Sequence, residues 1–394
     1  MKRLMIYLLM VCLVISVSAC SNDTEMNGEQ EAEYRVAMIT DSGDITDRSF
    51  NQSTYEACKD FCNEYNIGFT YKKPFGDNTS ERIAAIESAI DEGYNVIVMP
   101  GYVYGGVLAR ISKKYKDIKF IALDVSQGDI LETGVPLKGE VYDYNPSNWN
   151  VRDYYYPDNV YSTVYHEELC GYMAGYAAVK LGYRNLGFVG GMAVPGVIRF
   201  GYGFVRGADA AALDINEKVT LKYAYANTFN PDAEITAAMD TWYASGTDIV
   251  FACGGALFVS VAEAAAKMNG KIIGVDVDQK NIIDGMFGEG MTLTSAMKNL
   301  YISAYDALKD IIINGKWADY SGKIASLGLV SGTDPDKNYV KLPMESTKWG
   351  PGFTKEDYKT LVNDMFEGRV AVSDDISKEP ETACVSVEWL GNIK

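Results

Sequence analysis

Histidine is almost absent from this chain: of 394 residues, only His166 carries an imidazole. Zinc coordination and imidazole acid–base catalysis are left with one candidate, which directly precedes a helix opening Glu167-Glu168, where a cap or surface role is expected. Cysteine adds little. Beyond the first twenty residues there are Cys58, Cys62, Cys170, Cys253 and Cys384, with no paired Cys motif among them. Cys58 and Cys62 share one helix face and read as small buried apolar residues, like the rest. Positive charge is also short. Lys and Arg number 36 against 53 Asp and Glu, a net charge of −17, and no basic stripe is present to displace counterions, so nucleic acid is excluded as a partner. No glycine-rich loop ends in Lys and Ser/Thr, so the chain itself hydrolyses no ATP. Neither a metal nor a cofactor is expected.

What is present starts at the N-terminus. Lys2 and Arg3 precede a short apolar run over 4–17, which closes in Val17-Ser18-Ala19-Cys20. A cationic start, an apolar stretch too short for a membrane span and small residues before a thiol form a lipobox. Residues 1–19 are expected to be a lipoprotein signal peptide and Cys20 the lipidated residue, which holds the mature chain on the extracytoplasmic face of the cell membrane. Residues 20–33 contain almost nothing apolar and are expected to be a flexible tether.

From Tyr34 onward short apolar strands alternate with helices. Strands are expected at 35–40, 69–71, 96–99 and 120–123, with helices at 49–65 and around Ile83, Ile86 and Ile90. A second series runs through helix 167–180, strand 186–189, helix 200–213, strand 219–224, helix 231–244, strand 249–252, helix 258–268 and strand 271–275. Continuously apolar strands are buried on both faces, so the class is α/β with parallel, doubly wound sheets. The length exceeds what one core serves and predicts two lobes.

Ligands of such sheets bind at the carboxyl ends of the strands. Five strand ends carry polar or glycine residues: Thr40-Asp41-Ser42-Gly43, Asp124, Gly190-Gly191, Gly254-Gly255 and Asp276-Val277-Asp278-Gln279. Two facing lobes gather them round one cleft. Residues 142–156, with Tyr144, Trp149, Tyr154 and Tyr155, read as a local insertion, either a packed surface loop or a lip over that cleft, the loop being preferred.

Four ordered motifs carry a resemblance. They are Asp47-Arg48-Ser49-Phe50-Asn51-Gln52 after Asp41-Ser42-Gly43, the stretch from Gly190-Gly191 to Arg199-Phe200-Gly201-Tyr202-Gly203-Phe204, Gly274-Val275-Asp276-Val277-Asp278-Gln279, and Thr294-Ser295-Ala296-Met297-Lys298. From Tyr34 to about the C-terminus the chain resembles the basic membrane protein family, whose members include purine nucleoside receptor lipoproteins of ATP-binding-cassette (ABC) importers. The resemblance implies two hinged lobes of the type I periplasmic-binding-protein kind joined by three crossings. Crossings near Tyr165, Leu293 and Gly315 assign 34–165 and 294–314 to lobe 1, and 166–293 and 315–394 to lobe 2. It also implies a purine nucleoside as ligand, with an ABC permease and its ATPase subunit as partners.

A purine offers a flat face for an aromatic ring, and its ribose offers a diol to a carboxylate. Phe50 is the expected stacking residue and Phe200 the candidate for the opposite face, with ordinary core packing as the alternative for each. Asp276, oriented and balanced by Lys298, is expected to receive the ribose hydroxyls. Asp41, Asn51 and Asp124 suit base edges, or serve as cap and turn residues. Gly254 and Gly255 leave room for the sugar, because no side chain intervenes. Binding is completed when the lobes close. Two rivals stand beside this reading: a sugar or other small polar ligand, and a nucleoside-cleaving enzyme drawing on Asp41, Asp44 and Asp47. The second lacks a positioned acid–base set, so no enzyme is expected.

Overall fold

The computed structural model describes residues 34–41 and 43–394. The signal peptide, Cys20 and the tether lie outside the described residues. Among those described, no helix is long and apolar enough to cross a membrane.

The first sheet contains β1 (Arg35–Ile39), β2 (Gly68–Lys72), β3 (Val96–Pro100), β4 (Lys119–Leu123), β5 (Val160–Tyr165) and β11 (Ile324–Leu327), in the order β11-β5-β4-β3-β1-β2 and parallel throughout. The second contains β6 (Asn185–Gly190), β7 (Val219–Tyr225), β8 (Ile249–Cys253), β9 (Lys271–Asp276), β10 (Thr292–Lys298), β12 (Val340–Lys341) and β13 (Val385–Asn392), in the order β12-β10-β9-β8-β6-β7-β13. Only the short β10–β12 pair is antiparallel. Every residue of β3 and of β8 is buried, as central parallel strands covered on both faces require.

Helices α1 (Phe50–Glu64), α2 (Thr79–Asp91), α3 (Tyr104–Ile111) and α4 (Gln127–Leu137) wrap the first sheet. Ile86, Leu108 and Leu131 from α2, α3 and α4 share one core with Ile97 and Phe120 of the strands. The second sheet carries α5 (Glu167–Lys180), α6 (Pro195–Asp214), α7 (Ala233–Ala244), α8 (Phe258–Met268) and α9 (Lys280–Phe287). After β10 come α10 (Leu300–Leu308), α11 (Trp317–Tyr320) and α12 (Lys355–Phe366).

Helices α5 and α6 touch backbone to backbone. A Cβ at Gly171 would lie 2.2 Å from the Phe200 carbonyl oxygen, and one at Gly175 2.1 Å from that of Phe204. Reciprocally, Cβ atoms at Gly203 and Gly207 would lie 2.2 and 2.0 Å from the carbonyl oxygens of Glu168 and Tyr172. No side chain larger than hydrogen fits at these four positions. The close approach fixes the N-terminal halves of both helices, which carry Glu167, Arg199 and Phe200.

The crossings differ from expectation at two places. The chain leaves the first sheet after Tyr165. It returns after Lys298 rather than near Leu293, because Leu293 lies inside β10, whose pairing with β9 continues through Met297. The segment 294–298 is therefore part of the second sheet. Helix α10 then packs on α1, with the Tyr301 hydroxyl donating to Asp60 at 3.0 Å and the Phe61 and Tyr305 ring centroids 5.7 Å apart. The last crossing comes after Leu327 rather than at Gly315, since the chain first adds β11 beside β5. His166 sits at the first crossing, its Nδ1 2.7 Å from Glu168 Oε1 and its Nε2 2.8 Å from Ser326 Oγ. It ties two crossings together and supplies no side-chain cap to α5.

Residues 142–156 form a packed loop. Tyr142, Tyr154 and Tyr155 are buried, and the Trp149 ring stands edge-on to those of Tyr142 and Tyr154 at 6.0 and 5.9 Å. Cys58, Cys62, Cys170 and Cys253 are buried free thiols, with Cys62 pushed up to about 12 by burial, while Cys384 is half-buried.

Candidate functional site

The carboxyl ends of both sheets face one cavity of about 250 Å³. All nine residues singled out in the sequence (Asp41, Phe50, Asn51, Asp124, Phe200, Gly254, Gly255, Asp276 and Lys298) line it. Asp41, Asp124, Asp276 and Lys298 stand at or just past the ends of β1, β4, β9 and β10. Phe50 and Asn51 open α1, and Phe200 lies in the second turn of α6.

The start of α1 is held by Asp47. Its carboxylate accepts the backbone N–H groups of Ser49 at 2.9 Å, Asn51 at 2.8 Å and Gln52 at 3.1 Å, which are orphan donors of a helix terminus. Asn51 is then fully engaged. Its side-chain amide donates to Asp41 Oδ1 at 2.9 Å and Asp47 Oδ2 at 3.0 Å, and its carbonyl oxygen accepts from Asp41 N at 3.2 Å. Its two amide hydrogens are spent on holding Asp41. Burial raises the Asp41 pKa, against hydrogen bonds from Gly43 and Asn51.

Asp124 and Asp276 occupy equivalent places in the two lobes, each just past or at a strand end and each left-handed, with φ of 64° and 63°. Left-handed backbone in a residue other than glycine is uncommon, Asp being among the more tolerant, and here it turns both carboxylates into the cavity wall. Asp276 Oδ2 accepts a 2.6 Å bond from Ser49 Oγ of the opposite lobe. Burial pushes Asp276 up to about 6, moderated by Lys298 and by the Ser49 bond.

Lys298 was expected to orient and balance Asp276. Its ammonium is instead bonded to Asp124 Oδ2 at 2.8 Å and Glu167 Oε1 at 3.1 Å, and acts on Asp276 only through space. Glu167 continues the chain of opposite charges to Arg199 Nε at 2.6 Å. Burial works against the Lys298 charge, yet Asp124, Glu167 and Asp276 together hold its pKa well above the usual lysine value. Three rings surround it, Phe50, Tyr165 and Phe200, with centroids at 5.1, 5.3 and 5.7 Å.

Gly254 and Gly255 line the cavity, and the absence of side chains at Gly254 and Gly191 makes room for the Phe229 ring. A Cβ at Gly254, where φ is 149°, would lie 2.7 Å from Phe229 Cδ1, and one at Gly191 would lie 2.2 Å from it. Gly191 and Gly254 form a shelf for the Phe229 ring, which lines the cavity half-buried. Phe200 is almost fully buried, at 2% exposure, and stands edge-on to Phe251.

Sequence reasoning missed Tyr102 and Phe229 on the cavity wall, and Glu167 and Arg199 behind Lys298. Tyr102 follows β3 and Phe229 follows β7, so the strand-end rule reaches both once it is applied to every strand. Glu167 and Arg199 left no local signal, because their partners come from elsewhere in the fold.

Residues 34–334 match the Bmp family, described as ABC transporter substrate-binding protein PnrA-like. The chain is similar to the ABC transporter nucleoside-binding protein BmpA of Lactococcus lactis, 27% identical over 267 residues, covering 64% of this chain and 67% of that one. It is also similar to basic membrane protein B of Borreliella afzelii, 27% identical over 313 residues, covering 76% and 80%. Among solved structures, an ABC transporter solute-binding protein from Aeropyrum pernix superposes with a TM-score of 0.62 at 19% identity, covering 86% and 87% of the two chains. The operator-bound lac repressor superposes at 0.52 with 9% identity, covering 82% and 96%. At these identities the structural likeness speaks for the fold, two parallel sheets of the type I periplasmic-binding-protein kind. With about three quarters of its length and its cleft residues inside the matched segment, the chain belongs to the Bmp family of PnrA-like ABC transporter substrate-binding proteins, which bind and do not catalyse.

Proposed function

We propose that this substrate-binding protein captures a purine nucleoside between its lobes and delivers it to an ABC permease, itself held at the extracytoplasmic face of the membrane by a lipid on Cys20. The observation that carries the ligand is the pairing of aromatic wall and carboxylates in one cavity: Phe50 and Phe229, with Asp41 and Asp276. A purine stacks between rings, and the two carboxylates take its base edge and its ribose hydroxyls. Phe229 replaces Phe200 as the second face, since Phe200 is spent on core packing while Phe229 is half-buried on its glycine shelf. Asp124 and Lys298 join the lobes beside the ligand, and Asn51 positions Asp41. The nucleoside-binding relative from Lactococcus lactis supports the same ligand class.

Closure completes the site. Ser49 with Asp276 and Asp124 with Lys298 are bonds between lobes, so a ligand that touches both halves favours the closed population. The test is mass spectrometry of ligand released from the purified protein, followed by calorimetry with inosine and with galactose. Recovery of a nucleoside and binding of inosine alone support the reading; a bound sugar overturns it. For the anchor, Cys20→Ala is expected to move the protein from the membrane fraction to the medium or periplasm, and retention at the membrane would remove that assignment.

A further inference from the structure

We infer that Asp41 and Tyr102 together select nucleosides whose purine carries a 6-oxo group over those carrying a 6-amino group; this rests on the nucleoside reading above. Asp41 Oδ1 is taken up by Gly43 N at 2.6 Å and Asn51 Nδ2 at 2.9 Å. Among the described residues no donor reaches Oδ2, which lies 3.2 Å from the place a Cβ would occupy on Gly101. Gly101 directly precedes Tyr102, and its φ of 119° makes the turn that leads from β3 to that ring. Tyr102 lines the same cavity, and its hydroxyl has no hydrogen-bond partner among the described residues. Burial keeps the phenol protonated, so it remains a donor.

The wall thus presents an unused acceptor and an unused donor on neighbouring strand ends. Their complement is an N–H beside a carbonyl, which is the N1–H and C6=O edge of hypoxanthine or guanine. Adenine turns a lone pair at N1 toward the carboxylate and places an amino group opposite the phenol. A desolvated site built for one pattern rejects the other strongly, because its own polar groups are left unpaired.

The experiment is calorimetry on ligand-stripped full-length protein with inosine and adenosine, for wild type and Tyr102→Phe, with thermal denaturation to verify folding. Wild type is expected to bind inosine roughly tenfold or more tighter than adenosine, and Tyr102→Phe to lose roughly fivefold to tenfold for inosine while adenosine changes by less than about twofold. Equal affinity for the two nucleosides, or an unchanged inosine affinity in the folded variant, overturns the selection and leaves the nucleoside reading standing. Binding of neither sinks the nucleoside reading, and the selection with it.

Discussion

Ser49 Oγ donates to Asp276 Oδ2 at 2.6 Å, joining the start of α1 in one lobe to the end of β9 in the other. Ser49 is the residue before α1, yet its hydroxyl caps no helix N–H, because Asp47 takes that task. Freed from capping, it spans the cleft. Ser49→Ala is expected to keep the fold and to weaken nucleoside binding roughly tenfold, the effect of one hydrogen bond to a charged group. Calorimetry gives the affinity, and small-angle scattering with ligand should show a more open average shape. Unaltered values in both would mean that the bond plays no part in closure.

Asp276 makes stability depend on pH in a defined direction. Its folded pKa is about 6 against an ordinary 3.8, because burial disfavours the charge. Between those values the folded protein holds a proton that the unfolded chain has released. The contribution of Asp276 to stability is therefore greatest below about 4 and falls as pH rises through 6, by on the order of 2–3 kcal/mol. Asp276→Asn is expected to melt higher than wild type at pH 7.5, to lose that advantage near pH 4, and to bind nucleoside worse throughout. Parallel melting curves across that range would contradict the assignment.

Lys298→Met should be severely destabilising. Lys298 is 4% exposed, and loss of its ammonium strands Asp124 together with one oxygen of Glu167 in a buried site. Breaking a buried pair from one side costs about 3–5 kcal/mol. Denaturant titration measures this, and a loss below about 1 kcal/mol would show that water reaches the carboxylates.

Phe229 and Phe200 are separable by their readouts. Phe200→Ala empties a core position against Phe251 and is expected to cost about 3–5 kcal/mol of stability. Phe229→Ala is expected to leave the melting temperature within a few degrees and to weaken the nucleoside roughly tenfold, as the loss of a stacking face does. The reverse pattern would return Phe200 to the ligand.

Gly254→Ala tests the shelf. At a φ of 149° any Cβ is strained, and this one would press on the Phe229 ring from 2.7 Å. The ring is expected to shift into the cavity and lower the affinity, with a smaller effect on melting; calorimetry beside a melting curve resolves the two.

Much of the architecture is legible from local pattern. The apolar strands β1 to β4 and β6 to β9, with helices α1, α2 and α5 to α8, follow from period and burial, whereas α3, α4 and β5 are not read from the sequence; the C-terminal edge rule brings all nine chosen residues to one cavity. Where the reading slipped, the cause lay at a distance. Leu293 looks like a boundary only until β10 is seen paired to β9 through Met297. Gly254 gives no local sign that Phe229, from another strand end, lies against it. The close packing of α5 on α6 is written as Gly171, Gly175, Gly203 and Gly207, a pattern whose meaning appears only when the two helices are set side by side.

By itself, then, the sequence determines the alternation of strand and helix and the placement of carboxylates, phenyl rings and glycines at strand ends, since each depends on residues a few positions away. Tertiary structure decides who meets whom. Lys298 finds Asp124 and Glu167 across 174 and 131 residues of chain, and Ser49 finds Asp276 across 227. Those partnerships exist because three crossings bring two separately wound sheets edge to edge, and a buried charge settles on whichever opposite charge the packing places within reach.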